Sequence, residues 1–124
     1  MLPPKLAKEV EELQHDYAIE VVEDSDNVNL IFQSFPLEEG YNMPSAEMLL
    51  RIPRTYPDTG PDMFWTNEQL LLADGRIPQA AEAFETHLSK RWRRFSWHRP
   101  PWNPVIDNLR SHVEFIRKRL RAKK

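Results

Sequence analysis

Ser96 and His98 are the two side chains of this sequence whose types and spacing could support acid–base chemistry. They stand two positions apart in a segment that alternates like a strand, so both would point to the same face. A histidine titrates at about pH 6.5 and is a natural general base for a nearby hydroxyl, which is a weak nucleophile without such help. The pair therefore predicts a serine activated by histidine. The alternative is that Ser96 is a small edge-strand residue and His98 a loop residue before Pro100.

The segment around this pair interleaves cationic and aromatic side chains. Because arginine and tryptophan often dominate protein interfaces, part of the segment is predicted to bind a partner. The members of this partner-binding set are Arg91, Arg93, Arg94, Trp97 and Arg99. The same pattern can stack bases and neutralise phosphates in a single-strand binder. It can also bury rings in a core while arginine heads reach water, and we expect that packing for Trp92 or Phe95.

The other ionisable residues favour structural roles. The four histidines, at positions 15, 87, 98 and 112, have spacings that match no compact metal signature, so we expect no metal site. Asp58, Asp62 and Asp74 could do acid–base work in pairs, but aspartates of this kind more often form turns. The absence of cysteine excludes disulfides, thiolate catalysis and cysteine-ligated zinc. No cofactor is expected.

The charge of the chain is polarised along its length. The 124 residues carry a net charge of −2, yet residues 90–124 contain twelve Lys or Arg against two acidic residues. Residues 1–89 therefore hold five basic and seventeen acidic groups. The two parts could neutralise each other in the fold, or the basic end could dock an acidic partner or nucleic acid.

Length and hydropathy predict a single domain over residues 1–124, with residues 1–4 and 121–124 frayed. No run approaches the ~18 apolar residues that span a bilayer. The first residues lack the apolar core of a signal peptide, so a cytoplasmic location is expected.

Hydrophobic periodicity predicts an α+β fold. Helical spacing indicates a helix over residues 5–14. Runs of β-forming residues indicate four strands, over residues 17–23, 28–35, 46–52 and 63–66. A helix followed by an antiparallel meander is typical of α+β domains.

The second half of the chain is harder to assign. Residues 70–72 indicate a short strand before an Asp-Gly turn, residues 79–88 a helix, and residues 90–98 a strand. Asn103 is a good N-cap with Pro104 at the first helical position, which predicts a long C-terminal helix. Residues 67–91 otherwise stay unassigned.

A run of prolines and aromatic residues joins the third and fourth predicted strands. Each proline fixes its φ near −65° and favours an extended preceding residue, so the connection is a rigid crossover. The structural motif of the chain consists of Pro53, Tyr56, Pro57 and Pro61, followed further on by Trp102 and Pro104. With this motif, the order of elements resembles the ubiquitin-conjugating E2 (UBC) fold and its noncatalytic relatives, the RWD domains. The chain most resembles the cysteine-lacking prokaryotic E2-like families of bacterial ubiquitin-like systems.

The resemblance implies a role in ubiquitin-like protein modification, beside an E1-like adenylyltransferase and a JAB-type peptidase. An ordinary E2 has a His-Pro-Asn segment and a catalytic cysteine, and this chain has neither, so no thioester can form. The favoured function is a pseudo-E2 adaptor that binds a ubiquitin-like protein, an E1-like partner or both. One alternative is a conjugating enzyme in which Ser96 forms an oxyester with His98 as base. A further alternative is an RWD-like interaction module or single-stranded nucleic-acid binder.

Overall fold

The first half of the chain folds as its periodicity predicts. The computed structural model describes residues 2–122. The elements in chain order are α1 (Pro4–Leu13), β1 (Ile19–Glu23), β2 (Asn27–Pro36), β3 (Ser45–Pro53), β4 (Phe64–Asn67), β5 (Phe84–His87), β6 (Lys90–Phe95) and α2 (Leu109–Arg121). The strands form one antiparallel sheet in the order β1-β2-β3-β4-β6-β5. The α+β class and the meander β1–β4 are confirmed, but the sheet has six strands rather than four.

One face of the sheet packs against both helices. Strand alternation directs every second side chain to this face, and each helix contributes one apolar stripe. The main core includes Leu6, Val10 and Leu13 from α1, Val113, Ile116 and Leu120 from α2, and Leu30, Phe32, Leu50, Phe64 and Phe95 from the strands. Burying a side chain of this size contributes about 2 kcal/mol, so this layer is the main source of stability.

The opposite face carries a smaller apolar cluster. Leu49, Trp65 and Trp92 are buried there, one from each of three neighbouring strands. Trp92 Nε1 donates to the backbone oxygen of His87 at 3.0 Å, and Lys90 Nζ lies 4.5 Å from the Trp92 ring centroid. The expected burial of Trp92 and Phe95 is confirmed.

The predicted helix over residues 79–88 is wrong. Residues 84–87 form the edge strand β5, which pairs with β6, and Ala80 has a φ of 60° that no α-helix contains. The ladder continues before β5, because Arg94 N donates to Ala83 O at 2.9 Å. Pairing with β6 therefore outweighs the helix propensity of the alanines. The strand predicted over residues 70–72 is reduced to one bridge between Leu72 and Tyr41.

The turn between β5 and β6 holds two residues in the left-handed region. Leu88 has a φ of 55° and Ser89 a φ of 60°, a conformation that favours glycine or asparagine. We expect Ser89→Gly to raise the free energy of unfolding by about 0.5–1 kcal/mol, because it removes the conflict between Cβ and the backbone at this φ. Ser89 is exposed, so the substitution removes no buried contact. Urea denaturation measures the change. Ser89→Ala is the control, since it keeps the Cβ and should give no gain.

The C-terminal helix begins five residues later than Asn103 predicts. The Asn108 side chain accepts a hydrogen bond from Ser111 N at 2.8 Å, and Ser111 Oγ accepts one from Asn108 N at 3.0 Å. This reciprocal capping box starts α2 at Leu109. Asn103 instead closes a local turn by accepting from Val105 N at 3.0 Å.

Basic groups of the last third pair with acidic groups of the earlier sequence. The pairs are Lys90–Glu47, Arg91–Glu68, Arg94–Glu85, Arg110–Asp16 and Arg121–Glu38. These contacts support the interpretation that the two parts of the chain neutralise each other. They lie at or near the surface, where one ion pair contributes at most about 1 kcal/mol.

Candidate functional site

The proline crossover and the segment after β6 form the two walls of the candidate site. Residues 54–63 join β3 to β4, and residues 96–108 join β6 to α2. Between them lies an open cavity of about 370 Å³, lined by residues 58–62 and 98–102. The cavity contains one of the two predicted catalytic residues, His98.

Trp102 forms one wall of this cavity by packing on the crossover. Its Nε1 donates to Pro57 O at 2.7 Å, and its ring centroid lies 5.6 Å from that of Tyr56. Gly60 leaves the space that the ring occupies, since a Cβ there would lie 2.0 Å from Trp102 Cδ2. Crossover and tryptophan therefore form one packed unit.

The other predicted motif residues lie around this unit. Pro53 ends β3, and the Tyr56–Pro57 peptide bond is cis. Pro61 is buried, whereas Pro104 is exposed. Pro104 also lies outside α2, so its predicted place at the first helical position is wrong.

Glu9 ties the crossover to both helices. Its Oε1 accepts a hydrogen bond from the Tyr56 hydroxyl and another from Leu109 N at 2.8 Å. Burial, together with the bond to Glu9, raises the pKa of Tyr56 above its usual value. One carboxylate of α1 thus fixes the crossover against the first turn of α2.

His98 is paired with a carboxylate that no local sequence pattern connects to it. Its Nδ1 lies 2.7 Å from Asp62 Oδ2, and Asp62 Oδ1 accepts from Arg99 N at 3.4 Å. The two residues are 36 positions apart, and the only sequence signal was the place of Asp62 beside the last crossover proline. The structure brings them together because the crossover and the segment after β6 face each other.

Arg99 anchors this segment to α2. Its Nη2 lies 2.9 Å from Asp107 Oδ1, with the two side chains 9% and 15% exposed. Its guanidinium also lies 3.4 Å from His112 Nδ1 and 4.9 Å from the Trp102 ring centroid. The Asn103 amide and the Arg99 side chain hold the pKa of Asp107 below its usual value.

Ser96 belongs to a different network. Its Oγ accepts from Arg94 Nε at 3.0 Å, and Arg94 Nη1 donates to Glu85 Oε2 at 2.7 Å. Burial alone would raise the pKa of Glu85, but hydrogen bonds from His87, Trp65 and Arg94 lower it. Within residues 2–122, no hydrogen bond joins Ser96 to His98.

The predicted partner-binding set is divided between surface and interior. Trp97 is 4% exposed and lies in the main core. Arg93 is 5% exposed and donates to Ala81 O at 2.7 Å and Glu68 O at 3.0 Å. These two residues are therefore corrected to structural roles, since neither presents a surface for a partner. Arg91 is exposed, and Arg94 and Arg99 are half-buried.

The geometry supports proton transfer at one atom. A carboxylate only accepts hydrogen bonds, so Nδ1 of His98 carries a proton and Nε2 of the neutral ring holds a lone pair. In the described part of the chain, no three His, Asp or Glu side chains are grouped to hold a metal ion. No helix among residues 2–122 is long and apolar enough to cross a membrane.

Two helices packed on one face of an antiparallel meander, together with a proline crossover packed on a tryptophan, define an E2-like protein of the α+β class. Residues 6–123 match the family described as prokaryotic E2 family E, and the chain belongs to that family. Searches of curated proteins and of solved structures find no match.

Proposed function

We propose that this protein is a cysteine-less E2-like adaptor of a bacterial ubiquitin-like modification pathway. It binds a ubiquitin-like protein, an E1-like partner or both, without forming a covalent intermediate of its own. The observation that carries this proposal is an E2 family match over residues 6–123 in a sequence with no cysteine. Thioester chemistry needs a thiolate, which this sequence cannot form. Noncovalent binding of pathway partners is therefore the E2-like activity that we propose for it.

A surface suited to a partner lies between α1 and the segment before α2. A cavity of about 620 Å³ is lined by residues of α1 and by residues 105–110. Val105 and Ile106 lie at its edge, with 87% and 71% of their surface exposed. Two adjacent aliphatic side chains that the fold leaves in water favour a protein contact at this position.

We expect the purified protein to form a noncovalent complex with the ubiquitin-like protein or the E1-like adenylyltransferase of the same bacterium. Replacing Val105 and Ile106 together with aspartate should weaken that complex by about tenfold or more, since it removes an apolar contact. Isothermal titration calorimetry, with and without ATP, measures the affinity. Ile77→Asp is the matched control, because Ile77 is 50% exposed and does not line this cavity. Absence of binding to either protein would refute the adaptor function.

A second candidate is oxyester formation on Ser96. The observation that favours it is the Asp62 carboxylate, whose Oδ2 lies 2.7 Å from His98 Nδ1. A carboxylate in this position orients a histidine base and stabilises its protonated form. An adduct formed with E1-like partner, ATP and ubiquitin-like protein would support this candidate if it resists reductant, is cleaved by hydroxylamine and is lost in Ser96→Ala. A complex without any adduct leaves the adaptor function.

A further inference from the structure

The pairing of His98 with Asp62 fixes which ring nitrogen is available for chemistry. Asp62 Oδ2 lies 2.7 Å from Nδ1, so the proton of the neutral imidazole resides on Nδ1. Nε2 has no hydrogen-bond partner among residues 2–122. The side chain is 69% exposed, so the lone pair of Nε2 is open to a substrate from solution.

Prolines and the contacts of Arg99 restrain the walls that hold this pair. Asp62 follows the buried Pro61, and His98 precedes Arg99, whose side chain reaches Asp107 and the Trp102 ring. Prolines at positions 57, 61, 100 and 101 restrict the backbone on both sides. A base held in this way needs little reorganisation when it accepts a proton.

In the described structure, the Ser96 hydroxyl is not presented to this base. Ser96 Oγ is bound by Arg94 Nε at 3.0 Å, in the network that contains Glu85 rather than Asp62. The cavity of about 370 Å³ beside His98 instead opens to solvent. Of its charged lining residues, Asp62 pairs with His98 and Arg99 pairs with Asp107, whereas the exposed Asp58 has no ion-pair partner in the described part of the chain. The Asp58 carboxylate therefore favours the positive charge that develops on an attacking amine nitrogen.

We propose that His98, positioned by Asp62, is a general base for a primary amine that enters this cavity and attacks a ubiquitin-like thioester held on a partner's cysteine. This inference rests on the proposed adaptor function. The amine nitrogen forms a bond to the thioester carbonyl carbon, and its proton passes to Nε2 of His98. Collapse of the tetrahedral adduct breaks the C–S bond, forms an amide and releases the thiolate. The imidazolium, stabilised by Asp62, then returns its proton to solvent.

The positioning role of Asp62 is tested without any partner. Two-bond ¹H–¹⁵N NMR spectra at pH 8 should show His98 as the Nδ1–H tautomer, whereas the exposed His15, in the turn after α1, should show the Nε2–H form of free histidine. Asp62→Ala should move His98 to the Nε2–H form and leave His15 unchanged. The same tautomer for His98 and His15 in the unmodified protein would overturn the positioning role.

The catalytic role is tested with a synthetic peptide that ends in a Gly-Gly mercaptoethanesulfonate thioester and with Nα-acetyl-lysine as the amine. We expect the protein to accelerate amide formation and His98→Ala to lose at least about tenfold of that acceleration, as general bases contribute about 10²-fold or more. Asp62→Asn, which can still hold the ring, should lose less than Asp62→Ala. His15→Ala is the control that should leave the rate unchanged, and Ser96→Ala tests the alternative in which the serine carries the chemistry.

Each outcome has one meaning. No acceleration, or an unchanged rate in His98→Ala, overturns the catalytic role, and a loss in Ser96→Ala as large as that in His98→Ala transfers the chemistry to the serine. The affinity for the pathway partners is measured separately on His98→Ala. Binding without a rate effect would retain the adaptor function and reject the base, whereas a rate effect without binding would do the reverse.

Discussion

Replacing Gly60 by alanine should lower the free energy of unfolding by about 3 kcal/mol. A Cβ at this position would lie 2.0 Å from Trp102 Cδ2, 2.3 Å from Cε3 and 2.5 Å from Cγ. Moving the ring away would break the hydrogen bond from Nε1 to Pro57 O and the contact with the Arg99 guanidinium, which lies 4.9 Å from the ring centroid. Urea denaturation followed by tryptophan fluorescence measures the loss.

Two comparisons separate this clash from a general effect of adding a methyl group. Gly75→Ala places its Cβ in open space at a φ of 89°, so it should cost only about 1 kcal/mol of backbone strain. In a Trp102→Ala background, Gly60→Ala should become nearly neutral, which gives a coupling energy by double-mutant cycle. Equal costs for the Gly60 and Gly75 variants would show that the ring is not held as described.

Stability should fall by about 3 kcal/mol as the pH is lowered from 6.5 to 4, because His112 is buried. Burial, followed by the charge of Arg99, lowers the pKa of His112 from 6.5 to about 4. The unfolded chain therefore takes up a proton on this residue at a higher pH than the folded chain does. In the window between the two values the unfolded state binds more protons, so stability decreases as the pH falls, at about 1.4 kcal/mol per unit of pKa difference.

The measurement is a set of urea titrations between pH 7 and pH 4.5. In this range His112→Leu should remove most of the pH dependence, although it lowers stability at pH 7 by altering the contact with Arg99. The contribution of Asp24 to the free energy of unfolding is lost only at lower pH, so it does not interfere with this test. Hydrogen bonds from Asn29 and from neighbouring amides hold the pKa of Asp24 below its usual value. An unchanged slope in His112→Leu would assign the pH dependence to other groups.

Local sequence signals predicted the elements whose stability comes from their own periodicity. The helix α1 and the strands β1–β4 each lie within two residues of the predicted limits, since alternation and helical spacing are properties of short segments. The crossover was predictable for a related reason, because proline restricts its own backbone and that of the preceding residue.

The errors arose where a distant partner outweighed a local preference. The alanines before β5 favour a helix, but β6 offers a ladder that uses the same backbone groups. Asn103 and Asn108 are both suitable N-caps, and the choice depends on Ser111, which completes a capping box only for Asn108. An asparagine followed three residues later by serine is a weaker signal than the usual box with glutamate.

The site was only half predictable for the same reason. His98 could be selected from its residue type, but its partner Asp62 lies across a gap of 36 residues that no periodic pattern spans. Burial of Arg93 was also beyond local inference, because its guanidinium donates to backbone oxygens of two separate loops. An arginine in an exposed strand and one that holds loops together have the same local sequence.

The carboxylate that joins α1 to the crossover has a consequence for synthesis of the chain. Glu9 receives its bond from Leu109 N across 100 residues, and Arg117 reaches the Tyr17 hydroxyl across another 100. On the ribosome, α1 must therefore wait for α2 before its polar contacts are complete. Until α2 emerges, Glu9 can receive the Tyr56 hydroxyl but not the Leu109 amide, and the surface of α1 that will contact α2 is open to a chaperone.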